Sequence, residues 1–430
     1  MLASATRTFA ANLSALRDFV HLVGSLLAKR QQELARQHRK DLVPLLLMLN
    51  KIEPSLAISE QRLKELESEF GGNIQVEAGE NEKHEQSWTV KISDTKWDPR
   101  PVVELFLTDT KHRALLYRSS LISLVSSAEW FLSQVIRAYF DKIPGASGTE
   151  GKTLTLDELK SLGSVDDARR YLTDLRIDEI MWGSFEDWIR FLTGTVKLSA
   201  DYLGPHRAEL IEVFQRRNVM VHNNGIVHSS YMKRVDPEFR KGVSLGDALG
   251  VSPEYLGKAI DLVERNFVLI AAELWKRLSP TDGERAKVMN EVAFERLKAE
   301  RWFVSEGLSF FTLNDKKMSE QDRLIAQLNY WQSVKWQGAF DTVREEVEGS
   351  DFSAKDDLYQ LARHALLDDT SAFFKSVPIL IRNQKLTYKM LTTWPIFKEM
   401  RKDGRYNQYK KKTTKSGSRR RTKTKKVASS

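Results

Sequence analysis

Apolar side chains recur at intervals of three and four along most of this chain, the spacing that lines one face of an α-helix. Phe9, Leu13, Leu16, Val20 and Val23 keep that interval. It returns over 42–49 and at Leu63, Leu66 and Phe70, ahead of a Gly71, Gly72 stop. Pro44 and Pro54 are expected to divide this region, because proline lacks the amide hydrogen and crowds the preceding turn. The pattern then changes to alternation. Ile74 and Val76, and again Trp88, Val90 and Ile92, sit between polar neighbours, which predicts a β-hairpin near 73–93. Pro99 and Pro101 discourage helix around them and mark a hinge.

Helical spacing resumes beyond the hinge. Residues 115–140 read as one long helix, followed by shorter ones at 156–162, 165–175 and 185–192. Another runs from about Pro205 to His222, and 256–278 closes the region with Ile260, Val263, Phe267, Ile270 and Leu274 in register. Phe185, Trp188 and Phe191 form an aromatic stripe expected in the core. After Ser279 and Pro280, helices predicted at 285–303, 320–340, 356–374 and 386–400 resemble stacked hairpins of the tetratricopeptide sort, without a clean repeat. Their aromatic residues, among them Tyr330, Trp331, Trp336, Phe373, Phe374 and Trp394, serve as interhelical core or line a face for a protein partner. The expected class is therefore mainly α, in four regions: 1–99, 100–280, 281–400 and a disordered 401–430.

Composition narrows the chemistry. A chain of 430 residues has room for about two or three domains with substantial cores. It contains no cysteine, which removes disulfides, thiolate metal sites and cysteine nucleophiles and is compatible with a reducing cytoplasm, the expected location. No apolar run approaches the ~18 residues of a membrane span, and none is expected. The first ten residues lack the charged start and apolar core of a secretory signal and read as the opening of the first helix.

The net charge of +9 belongs to the end of the chain. Residues 401–430 hold thirteen Lys or Arg and a single acid, Asp403, so residues 1–400 carry a net −3. From Lys410 to Lys426 there is no aliphatic or aromatic side chain. Such a segment cannot bury enough apolar surface to fold alone and is expected to be a mobile polycation. Lys410, Lys411, Lys412, Arg419, Arg420 and Arg421 are its candidate phosphate contacts, favouring RNA or DNA in a salt-dependent way. An ionic tether to anionic lipid, a nuclear localisation patch and a solubility tail are the competing readings. Tyr406 and Tyr409 can stack on bases or simply pack at a helix end.

Chemistry concentrates where the helix ending at His222 breaks at Asn223, Asn224 and Gly225, residues that tolerate the left-handed backbone after a last turn. Leu210, Phe214, Arg217 and Val221 share a stripe, which sets a guanidinium where an apolar residue is expected. Asn218 lies one turn before His222, so its amide can hold one imidazole nitrogen and leave the other free for proton transfer. On the helix over 115–140, Arg118, Ile122, Val125, Glu129, Leu132 and Ile136 share a face. A carboxylate there calls for a partner if it is buried, and Arg217 is the candidate. The bland alternative is a C-terminal histidine favoured by the helix dipole, an arginine that snorkels to water and a solvated Glu129. No phosphate-binding glycine loop is present. His206, His222 and His228 lack the compact spacing and nearby carboxylates of a metal site, and no metal or other cofactor is expected.

Arg217, Asn218 and His222 resemble the signature of the HEPN superfamily: arginine, a polar residue, three more residues, histidine. The helix over 115–140 is similar to the opening helix of those domains, and the likeness covers roughly residues 100–280. It implies a helical bundle that cleaves RNA without metal, by attack of the ribose 2′-hydroxyl. Arg217 would then hold the scissile phosphate, His222 would move protons, Asn218 would orient His222 and Glu129 would position Arg217. The resemblance further implies a homodimer whose two motifs make one composite cleft, and a prokaryotic antiviral defence or toxin setting with transfer or messenger RNA as target. A non-catalytic scaffold is the alternative, in which the bundle dimerises, the C-terminal helices grip a protein partner and the tail docks on nucleic acid.

Overall fold

The computed structural model describes residues 1–52, 58–70, 74–80, 86–92, 100–148 and 152–410. The protein is mainly helical. In chain order the first elements are α1 (Leu2–Gln37), α2 (Arg39–Ile52), α3 (Glu60–Phe70), β1 (Ile74–Glu80), β2 (Gln86–Ile92) and α4 (Arg100–Lys142). Then come α5 (Leu156–Leu162), α6 (Val165–Met181), α7 (Phe185–Gly194), α8 (Arg207–His222), α9 (Ser229–Arg234) and α10 (Pro253–Leu278). The remainder comprises α11 (Glu284–Lys298), α12 (Trp302–Leu313), α13 (Glu320–Trp336), α14 (Arg344–Gly349), α15 (Asp357–Leu366), α16 (Thr370–Arg382) and α17 (Tyr388–Thr393). Strands β1 and β2 pair antiparallel, with Ile74 opposite Ile92 and Glu80 opposite Gln86.

Two compact units divide the chain. One holds Met1–Ser14, Leu124–Asp247 and the residues from Gly257 on; the other holds Ala15–Ser123 and Ala248–Leu256. The sequence-based boundaries at 99/100 and 280/281 do not coincide with these units. The division instead falls inside α1, α4 and α10. In α1 and α4 apolar periodicity continues through the crossing, while in α10 the crossing falls at Gly257, which does not interrupt the helix. The Ser279–Pro280 boundary is clamped: Arg285 donates to the carbonyls of both, at 2.8 and 2.9 Å, and to Asp315 at 2.7 Å, with both charged side chains 1% exposed. Arg296 donates to Glu264 at 2.7 Å and to the carbonyl of Ala10 at 2.7 Å, which fixes α11 to α10 and α1.

The core of the larger unit is an aromatic cluster around Phe267 of α10. Phe9 of α1 stacks on Phe131 of α4 with centroids 4.3 Å apart, and Phe9 also meets Phe267. Phe185 of α7 stacks on Phe214 of α8 at 4.9 Å, and both rings lie about 6 Å from Phe267. Trp188 meets Phe214 edge-on, so the stripe on α7 is core. Offset and edge-on ring contacts of this kind add specific geometry to the burial of large apolar areas. A second cluster fills the C-terminal helices around Trp331, Phe373, Phe397 and Tyr406. Tyr409 stacks on Phe374, so Tyr406 and Tyr409 are packing residues and neither is a free base-stacking platform.

In the smaller unit α1 and α4 run antiparallel, with the Tyr117 hydroxyl against Gly24 and Arg113 donating to Gln31. Val43, Leu47 and Leu66 bury the contact between α2 and α3. Pro44 does not divide this region. It lies within α2, close enough to the start that only an early turn loses a hydrogen bond; Pro54 lies outside the described residues. Several helices expected to be continuous are broken, among them the one over 386–400, which ends at Thr393 ahead of Pro395. Glu300 (φ 57°) separates α11 from α12, and Asp368 (φ 56°) separates α15 from α16.

Candidate active site at the end of helix α8

Helix α8 is entered through a 3-10 turn, Asp201–His206, and ends at His222, where Asn224 (φ 49°) and Gly225 (φ 86°) turn left-handed. The Gly225 amide donates back to the Val219 carbonyl at 3.1 Å, and the Asn223 side chain donates to the Ile226 carbonyl at 2.6 Å. The first satisfies a carbonyl of the last helical turn, and together they fix the direction in which the chain leaves.

Earlier on α8 lies a polar network that the apolar pattern does not reveal. Tyr231 of α9 is fully buried and donates its hydroxyl to Glu212 at 2.9 Å, and Arg216 donates to the same carboxylate at 2.7 Å. Burial and the neighbouring Glu212 carboxylate push the Tyr231 hydroxyl pKa well up, so it stays a donor. His228 caps α9 by accepting from the Tyr231 amide at 3.3 Å. These contacts hold α9 against α8. One signal was legible in sequence: Glu212 and Arg216 stand four apart, the spacing of a helical ion pair.

Arg217 lies on the side of α8 that meets α4. It donates through Nη2 to Oε1 of Glu129, and the two side chains are 17% and 32% exposed. Its Nε is buried without a partner. Burial lowers the Arg217 pKa from the ordinary guanidinium value, while the adjacent carboxylate balances the charge it retains. Leu210 and Phe214 of the same stripe are buried, but Val221, expected to continue it, is 44% exposed. Beyond Arg217 the buried positions of α8 shift to Val219 and Met220.

His222 is exposed in the last turn, five residues after Arg217. Five residues of helix correspond to about 7.5 Å along the axis and roughly 140° around it, so the imidazole points to solvent while the guanidinium points to Glu129. Asn218 is half-buried and makes no hydrogen bond to His222; the orienting bond expected from their spacing is not formed. His206 and His222 occupy opposite ends of α8, about 24 Å apart at 1.5 Å per residue, so His206, His222 and His228 are not one ligand set. Among the described residues no three His, Asp or Glu side chains cluster as metal ligands. Lys410 reaches over the Tyr406 ring, 5.8 Å from its centroid. Lys411, Lys412, Arg419, Arg420 and Arg421 lie outside the described residues.

No described helix is long and apolar enough to cross a membrane. No protein-family model matches the chain, and comparison with curated proteins and with solved structures finds no similar protein.

Proposed function

We propose that the protein is a metal-independent endoribonuclease acting at the end of α8. One observation carries the reading: Arg217, held against Glu129, stands about one and a half turns before a solvent-facing histidine on a helix tied to α9 by the buried Tyr231–Glu212 contact. A guanidinium suits the charge that develops on a phosphorane, and an imidazole suits proton transfer near neutral pH.

RNA supplies its own nucleophile. The ribose 2′-oxygen loses its proton and bonds to phosphorus, the bond from phosphorus to the 5′-oxygen breaks, and the departing 5′-oxygen takes a proton. The products are a 2′,3′-cyclic phosphate and a 5′-hydroxyl. His222 moves one of these protons, a role worth roughly a hundredfold to ten-thousandfold in rate. Asn218 steadies the imidazole once substrate turns it back toward the helix, and Glu129 keeps Arg217 directed. A single chain offers one histidine for two proton transfers, so a homodimer with facing motifs completes the cleft. The basic residues from Lys410 to Arg421 raise the encounter rate with RNA. A prokaryotic defence or toxin role, with transfer or messenger RNA as target, belongs to this reading.

Digestion of a total RNA pool in the presence of a chelator, by the wild type, Arg217→Ala and His222→Ala, tests it. The expected result is cutting by the wild type and loss of at least a hundredfold in both folded variants. Equal behaviour of all three overturns it. A scaffold reading draws on a separate feature: Phe19, Leu22 and Leu26 follow helical spacing on α1 and are 53%, 61% and 57% exposed, a face that a second chain would cover.

A further inference from the structure

The C-terminal helices enclose a cavity of about 480 Å3, well away in sequence from α8 and within the range of small-molecule sites. Three aromatic residues line it, Phe294 from α11, Tyr359 from α15 and Trp394 from the segment after α17. Helix α13 brings three amides to it, Gln321 near its start and, further along, Asn329 and Gln332, three residues apart and therefore neighbours on the helix surface.

The latter two are the informative feature. Asn329 is 7% exposed and Gln332 only 2%, yet Asn329 Nδ2 and Gln332 Oε1 are buried without hydrogen-bond partners among the described residues. Buried amides are ordinarily satisfied, because leaving one unpaired forfeits the hydrogen bonds it made to water. Here two of them border one apolar cavity, and between them they offer both donors and acceptors.

The lining also limits what can enter. It contains no Lys or Arg, and its one charged residue, Asp356, is an acid, so an anionic group finds no counter-charge within. A purely aliphatic ligand would leave both amides unpaired. A flat, uncharged heterocycle with a donor and an acceptor on one edge satisfies every part of the lining: its faces stack on the rings and its edge pairs with the amides. Asparagine and glutamine read base edges in this manner, and aromatic side chains stack bases.

We infer that this cavity binds a nucleobase, with Asn329 and Gln332 reading its edge and Phe294, Tyr359 and Trp394 enclosing its faces. The inference does not depend on the nuclease reading. The base can arrive as a free nucleoside or as one residue of single-stranded RNA, and both present the same edge.

Calorimetric titration of the full chain with adenosine, guanosine, cytidine and uridine, each to about 1 mM, and with short single-stranded oligoribonucleotides carrying His222→Ala in the protein to prevent cutting, tests the assignment. At least one base is expected to bind, and its 5′-monophosphate no more tightly than the nucleoside. Gln332→Leu and Asn329→Leu should each weaken binding about tenfold or more. Both variants should keep the wild-type melting temperature or raise it, since each lost amide carries a buried atom without a partner among the described residues. Much tighter, salt-sensitive binding of the oligonucleotide, still lost in Gln332→Leu, identifies RNA as the source; equal affinity identifies the nucleoside. Absence of binding by every nucleoside and oligonucleotide, or binding undiminished in Gln332→Leu, overturns the inference.

Discussion

Glu129 accepts a hydrogen bond from Arg217 although 88 positions separate them in the chain. The pair bridges α4 and α8, beside the ring cluster that positions both helices: Phe131 is two residues from Glu129, and Phe214 is three from Arg217. Because both groups are partly covered, their coupling should lie between that of a surface pair and that of a buried one. A double-mutant cycle of Glu129→Gln and Arg217→Met, read by urea unfolding, is expected to return a coupling of about 1–2 kcal/mol. A coupling near zero would mean that the two side chains share no energetic link.

Arg285 and Asp315 present the opposite limit, with both side chains 1% exposed. Arg285→Met leaves the buried Asp315 with the Lys317 amide, 3.2 Å away, and the half-exposed Lys276, 3.9 Å away. The expected cost is about 3–5 kcal/mol, together with loosening of the link between α10 and α11, measurable as faster amide exchange in α11. A variant as stable as the wild type would contradict the assignment of this pair as the clamp at Ser279 and Pro280.

Stability should fall on mild acidification. Burial, aided by Arg265, lowers the pKa of His206, whose ring lies 5.2 Å from Phe303 and whose Nδ1 is buried without a partner. Burial likewise lowers that of His364, against the opposing pull of Asp369. With folded values below the unfolded one, the unfolded chain takes up protons first. The contribution is therefore complete above the unfolded pKa of about 6.5 and is lost as pH falls through it toward the folded values. The urea midpoint should drop between about pH 7 and pH 5.5, and His206→Gln should flatten part of that slope. A midpoint that does not change over this window would refute the sign.

The basic tail makes a separable claim. Residues 411–430 contain nine Lys or Arg and no acid, so deleting them takes the net charge from +9 to zero. RNA affinity at low salt should fall at least tenfold, and the dependence of log K on log salt should become shallower, because fewer counterions are released. An unchanged salt slope would place the phosphate contacts elsewhere.

Much of the helical content was readable from apolar spacing: α5 has its expected bounds, and α8 ends at His222 as its Asn-Asn-Gly terminator indicates. The Glu129–Arg217 contact was readable as well, since each charge interrupts an apolar stripe. What the pattern conceals has physical causes. Glu300 and Asp368 take left-handed backbone without a glycine or proline to announce it, so two breaks pass unseen. Two of the crossings between units fall inside α1 and α4, whose periodicity does not change there. The contact of Tyr231 with Glu212 joins residues nineteen apart through a loop, and no helical spacing connects them. The cavity beside Asn329 and Gln332 depends on four separate segments meeting, which local sequence does not encode.

The central claim is that His222 moves a proton in metal-free cleavage of RNA. Mass spectrometry of the ends left on RNA incubated with the protein and a chelator addresses it directly. The account predicts 2′,3′-cyclic phosphate and 5′-hydroxyl ends from the wild type and none above background from folded His222→Ala. Intact RNA with the wild type, or the same ends in the same yield from His222→Ala, would contradict it.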